Sequence, residues 1–204
     1  MSSVIQSADL STLNAAIAAN ERAQRLGELL TLPGVVEGMM ERLSYYDRFM
    51  SEIYPITIDY GNPKDDGERA SIFNGMVTAG GYDYVNSNIT PANFTLSGTG
   101  IVQAEICLFH FGRDMHSDPV IAEMPKFGFE PPLIEHCLAF GAQHPEVQRQ
   151  FPIVFLGSSC LVSGDRGVPY LGRRVSERGL GLYCFGLDWD GPYRFAAVRT
   201  KKAK

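Results

Sequence analysis

Phe151-Pro-Ile-Val-Phe-Leu-Gly157, Val168-Pro-Tyr-Leu171, Leu180-Gly-Leu-Tyr-Cys-Phe-Gly-Leu187 and Tyr193-Arg-Phe-Ala-Ala-Val-Arg199 are the runs that decide the fold. Each is short, apolar and punctuated by glycine, proline or aspartate, which marks strands rather than helices. Leu180–Leu187 alternates, with Tyr183, Phe185 and Leu187 on one side and Leu182, Cys184 and Gly186 on the other. Gly164-Asp-Arg-Gly167 and Asp190-Gly191 read as turns. Glycine reaches positive φ without steric cost, and Asp-Gly suits a tight hairpin. The four runs predict an antiparallel meander with one apolar face that helices must cover.

Working outward, Asp9 or Ser11 can cap a helix running to about Thr31, with Leu13, Ile17, Leu26, Leu29 and Leu30 as its apolar positions. Pro33 opens a second helix, in which Val36, Met39, Met40, Leu43, Tyr46 and Met50 recur at three and four residues before Pro55. Ile56–Tyr60, Phe94–Leu96 and Ile101–Phe109 read as strands. Glu68–Ala79, Ser117 to about Met124, and Leu133–Phe140 read as short helices. The expectation is an α+β protein: an amphipathic helical pair over 1–55, then an α+β domain over 56–204 whose C-terminal meander is covered by short helices.

The chain has 204 residues, of which 45% are apolar, enough for a core without disulfide or metal staples. The net charge of −5 argues against a general binder of nucleic acid or anionic membrane. Its distribution is uneven, since from Val168 onward eight Lys/Arg stand against three acids. Cys107, Cys137, Cys160 and Cys184 show no C-x-x-C spacing and read as buried free thiols of a reducing compartment. No stretch has the form of a signal peptide or membrane span, so the expected location is the cytoplasm.

Three constellations could carry chemistry. His110-Phe-Gly-Arg-Asp114-Met-His116 gathers two imidazoles and a carboxylate, suitable for acid–base work, but its spacing matches no zinc motif and no metal is assigned. His136 beside Cys137, and Cys160 after Ser158-Ser159, raise a thiol nucleophile. Both cysteines lie in apolar runs that point to burial instead. The basic C-terminal set is Arg173, Arg174, Arg178, Arg194, Arg199, Lys201, Lys202 and Lys204, with Tyr170, Tyr183 and Tyr193 interleaved. On an open sheet face such residues stack bases and hold phosphates. Gly179-Leu-Gly181 is not a dinucleotide fingerprint, because Cys184 replaces the third glycine and a strand follows.

A resemblance covers roughly Ile56 to Arg199. Ile56-x-Ile58-x-Tyr60-Gly61, a helix ending at Gly80-Gly81-Tyr82, Phe94-Thr-Leu-Ser97, Glu105-Ile-x-Leu108, paired short helices and Arg194-Phe-Ala-Ala-Val198 together resemble a group of uncharacterised bacterial proteins. That likeness implies no activity and carries no functional residue. The reading preferred on chemical grounds is a non-catalytic binding or assembly module, with a protein partner or self-association, no cofactor and no membrane. A Cys/His-dependent or metal-dependent hydrolase and a nucleic-acid binder are the alternatives.

Overall fold

The structure, a computed structural model, describes residues 50–200 together with Leu30 and Val36. The chain divides into two units, Met1–Arg48 and Phe49–Lys204, and the eight-stranded sheet lies in the second. Its strands are β1 (Met50–Asp59), β2 (Tyr84–Val85), β3 (Ile101–Phe109), β4 (Ile153–Val154), β5 (Cys160–Val162), β6 (Asp165–Arg174), β7 (Glu177–Cys184) and β8 (Arg194–Thr200). The order is β1-β3-β8-β4-β6-β7-β2, with β5 paired to β6. Helices α1 (Asp66–Ala79), α2 (Ser117–Glu123) and α3 (Ile134–Gln143) stand between strands.

This corrects the expected antiparallel meander. The sheet is mixed, since β4 runs parallel to β8 and β2 parallel to β7. Asp190-Gly191 closes no hairpin, because β4 and β6 separate β7 from β8. Instead Trp189, fully buried, bridges Met115 and holds the connection down, and β8 pairs with β3 from Phe195 to Thr200. Burying an indole and a long-range ladder outweighs the local turn preference. The described helices are distributed through the sheet sequence rather than forming an N-terminal pair. The pair expected over 1–55 lies mostly outside the described residues. Where they begin, Met50–Pro55 is strand β1, not a helix end.

Both sheet faces are covered over most of their width, so several strands are apolar on both sides. On the first face Ile56, Ile106, Leu171, Leu180 and Val198 pack with Cys137, Leu138 and Phe140 of α3 and Phe73 of α1. The alternating residues of β3 and β8 form the second face. There Phe109 meets Phe127 and Phe129 at 5.6 and 6.1 Å, and Trp189 meets Phe195 edge-on at 6.1 Å. The α2 segment contributes Val120, which is fully buried, and Trp189 packs on Tyr183 of β7 at 5.0 Å.

One side chain ties this arrangement together. Arg178 of β7 is buried, and its guanidinium donates to the carbonyls of Gly80 (2.8 Å) and Gly141 (2.6 Å) and to Gln148 Oε1 (3.0 Å). Gly80 caps the end of α1 and Gly141 lies in the last turn of α3, so the cation sits at the negative poles of two helices. The ring of Tyr82 lies 5.1 Å beneath the guanidinium and occupies the space where Gly80 and Gly141 would carry a Cβ.

The free edge of β1 is closed from the same helix. Gln143 accepts from Thr57 N (2.9 Å) and donates to Thr57 O (2.7 Å), imitating a neighbouring strand, and His144 Nε2 donates to Pro55 O (2.8 Å). An open edge invites pairing with another chain. We expect Gln143→Ala to cost the fold only about 1 kcal/mol yet to produce concentration-dependent association in sedimentation velocity. Arg178→Ala strands three buried acceptors, and a loss of about 3 kcal/mol or more is expected in urea unfolding. Arg178→Lys should recover part of that loss.

Candidate functional site

The part of the second face over β6 and β7 holds a concavity. Register places Tyr170 opposite Gly181, Gly172 opposite Gly179 and Arg174 opposite Glu177. Parallel pairing of β2 brings Tyr84 beside Gly179. The ring of Tyr170 lies along the sheet surface, filling the space where Gly172 and Gly181 would carry a Cβ. Between Tyr170 and the exposed Tyr84 a hollow of about 350 Å³ opens over Gly172 and Gly179, with Arg174 and Glu177 at one end. Burial, with Tyr84 and Tyr183 nearby, raises the Tyr170 phenol above its ordinary range, so the ring is neutral.

A second hollow of about 370 Å³ shares Tyr170, Gly172 and Arg173, and is lined beyond them by Gln150, Phe151 and Tyr193. The Arg194 guanidinium stacks 4.6 Å over the Phe151 ring. Tyr193 leans on Trp189, with ring centres 5.2 Å apart. The two hollows therefore share the Tyr170 ring and the Gly172 backbone, while the Phe151 ring packs against the first-face core beneath Arg194. Arg173 makes only a long contact of 3.5 Å to Val175 O. Among the described residues, neither Arg173 nor Arg174 forms an ion pair.

The basic set anticipated from sequence is thus divided. Arg174 reaches this face and Arg194 borders it, whereas register puts Arg173 on the same side of the sheet as Arg178, at the strand end. Arg178 is a buried structural cation, and Arg199 is held by Glu105 at 2.7 Å and stacks on Phe129. Lys201, Lys202 and Lys204 lie outside the described residues. Tyr84, Phe151 and Gln150 were not anticipated, since strand pairing and loop return bring them in from distant positions. The glycines at alternating positions 179 and 181 were the available signal, because glycine inside a strand marks close approach of another group.

The other candidates have structural employment. His110 Nε2 donates to Gly191 O (2.9 Å), whereas exposed His116 pairs with Asp188 (2.9 Å), and Asp114 is exposed. Cys137 is buried in the core, and burial lifts its thiol well above the usual range, which keeps it from acting as a thiolate. Burial also raises the thiol of Cys160. Ser158 Oγ accepts from Ile134 N (2.8 Å) at the start of α3 and serves as its cap. Buried Glu135, in the first turn of the same helix, accepts from Tyr60 (3.2 Å) and Ser97 (3.3 Å). Among the described residues, no three His, Cys, Asp or Glu side chains stand close enough to hold a metal ion.

His136 is buried at the N-terminal turn of α3 and accepts from Leu133 N at 3.1 Å. Burial disfavours the imidazolium and lowers its pKa from 6.5 to about 4. The unfolded chain then binds more protons than the folded one between those values. Stability from this group is complete above pH 6.5 and declines as pH falls toward 4, by an amount on the order of 3 kcal/mol. His136→Asn can keep an acceptor for Leu133 N without titrating. Denaturation midpoints measured from pH 7 to pH 4 should fall less steeply in that variant than in the parent.

No family model, curated protein or solved structure matches the chain, so what it does has to be argued from the geometry of its own surfaces.

Proposed function

We propose that the protein is a non-catalytic binding module whose working surface is the open face of β6 and β7. One observation carries the reading. The hollow between Tyr84 and Tyr170 is lined by tyrosine rings, backbone, guanidinium groups and the Glu177 carboxylate, with neither imidazole nor thiol in its lining. Tyrosine rings and Arg174 around a hollow of about 350 Å³ suit recognition of a flat, negatively charged group. Glu177 is the carboxylate of the lining, and it stands opposite Arg174 at the strand end. The hydrolase alternative has no comparable support, because His110, His116 and His136 are engaged at separate places and Cys137 is sealed in the core, while Cys160 is half-buried with its thiol raised by burial.

Gly179→Val is the informative variant. A Cβ at this position meets only ordinary contacts, Tyr84 Cδ1 at 3.7 Å and Gly172 O at 3.9 Å, so the side chain grows into the hollow without disturbing the sheet. A β-branched residue also favours the strand. In saturation-transfer NMR with benzoate, phenyl phosphate and AMP as probes, the parent should show contact with at least one. Gly179→Val should lose that contact at an equal or higher melting temperature. Binding that survives the variant places the working surface elsewhere. Ester or phosphoester turnover that vanishes in Cys160→Ser or His116→Ala would replace this reading with an enzymatic one.

A further inference from the structure

We infer that the hollow over β6 and β7 binds an acidic sugar, a hexuronate unit lying between Tyr84 and Tyr170 with its carboxylate on Arg174, an inference that rests on the binding-module reading. The first support is the arrangement of rings. Strand alternation puts Tyr170, Gly172 and Arg174 on the same side of the sheet as Glu177, Gly179 and Tyr183. The Tyr170 ring lies along that side over two glycines, and Tyr183 stands edge-on to it, with ring centres 6.3 Å apart and planes at 83°. A pyranose presents a patch of C–H bonds on its face. These carry partial positive charge and pack on the negative face of an aromatic ring.

The second support is the polar rim. Tyr54 and Tyr60 give their hydroxyls to Glu52 and Glu135. Among the described residues, the hydroxyls of Tyr84, Tyr170, Tyr183 and Tyr193 have no protein partner. Neutral phenols both donate and accept, as sugar hydroxyls require.

The third support is the pair at the strand end. Arg174 and Glu177 stand opposite each other, both exposed, and among the described residues neither forms an ion pair. Two strand steps, about 7 Å, separate them from the Gly172–Gly179 floor, within reach of both side chains. A simple aromatic acid satisfies Arg174 but sets a second negative charge before Glu177. A neutral sugar suits Glu177 and the phenols but leaves Arg174 without a counter-ion. A hexuronate offers a carboxylate to the one and hydroxyl donors to the other. The net charge of −5 disfavours a long run of such units.

The test titrates the full chain with three probes, followed by NMR chemical shifts: methyl β-D-glucuronide, methyl β-D-glucoside, which lacks only the charge, and cyclohexanecarboxylate, which lacks the hydroxyls. The glucuronide should bind more tightly than either. Arg174→Ala should weaken glucuronide binding roughly ten-fold, as for a lost charge-assisted hydrogen bond, and leave the glucoside unchanged. Glu177→Ala should weaken both sugars and leave cyclohexanecarboxylate equal or tighter, a split that simple structural damage does not produce. Gly179→Val should abolish glucuronide binding. Arg199→Ala, whose charge is already held by Glu105, should not alter it.

Equal glucuronide binding in the parent and Gly179→Val overturns the site. A glucoside or cyclohexanecarboxylate that binds as tightly as the glucuronide overturns the occupant, as does an Arg174→Ala variant that loses both sugars alike. If the glucuronide fails while benzoate, phenyl phosphate or AMP binds in a manner Gly179→Val abolishes, the sugar inference falls and the binding module stands. If every probe fails, both fall.

Discussion

The described unit is organised around a buried guanidinium that has helix ends rather than a carboxylate for its counterpart. Arg178 gathers the carbonyls of Gly80 and Gly141, and Gln148 completes the set by also donating to Gly172 O (2.7 Å) and Gly179 O (3.1 Å). Burying an isolated cation is expensive, and it is tolerated where polar groups surround it. Here the last carbonyls of two helices, which lack intrahelical donors, serve that purpose. The same contact fixes where α1 and α3 stop relative to β7. Since Asp83 Oδ2 accepts from Arg178 N at 2.7 Å, it also anchors the chain immediately before β2.

The open face follows from this anchoring. Asp83 N donates to Arg178 O (2.9 Å), and Asn86 N donates to Leu180 O (2.9 Å), so β2 is clamped beside β7 at both ends. That clamp sets Tyr84 over Gly179, and Gln148 fixes the backbone of Gly172 and Gly179 from beneath. The floor of the hollow and the ring at its rim are thus held by one buried network, which presents the side chains from rigid strands instead of loops. On the far side the crossover from β7 to β8, fastened by Trp189 Nε1 to Ser117 Oγ at 2.9 Å, delivers Tyr193 and Arg194 to the second hollow.

Several elements were legible in the residues alone. Strands β1, β3, β6, β7 and β8 coincide in outline with the apolar runs, and α1, α2 and α3 with the capped helical ones, because those signals are local. Sheet order was not legible. Asp190-Gly191 carries the residues of a hairpin, but the competing gain from burying Trp189 and pairing β8 with β3 is non-local and leaves no mark within the turn. Arg178 was grouped with surface cations for a related reason: its acceptors are backbone carbonyls 37 and 98 residues away, and a carbonyl has no identity in a sequence. Of the site, the tyrosine–arginine interleaving from Tyr170 to Arg194 was visible. The contribution of Tyr84 depended on a two-residue parallel strand, too short to show any periodicity.

Glycine inside a strand costs roughly 0.5–1 kcal/mol relative to alanine, so its presence in a buried or half-buried ladder calls for a reason. For Gly172 and Gly181 the reason is packing, because the Tyr170 ring occupies the space a side chain would need. Gly141 is required in the same way by Tyr82. Gly179 is different. Its backbone is not in the positive-φ region, and an added Cβ would meet its neighbours only at ordinary van der Waals separation. Neither conformation nor packing demands glycine there. What the missing side chain does provide is the empty volume between Tyr84 and Tyr170, with Arg174 at its end. A position where stability would accept a larger residue, and where only the cavity gains from its absence, is the strongest reason to place the protein's work on this face.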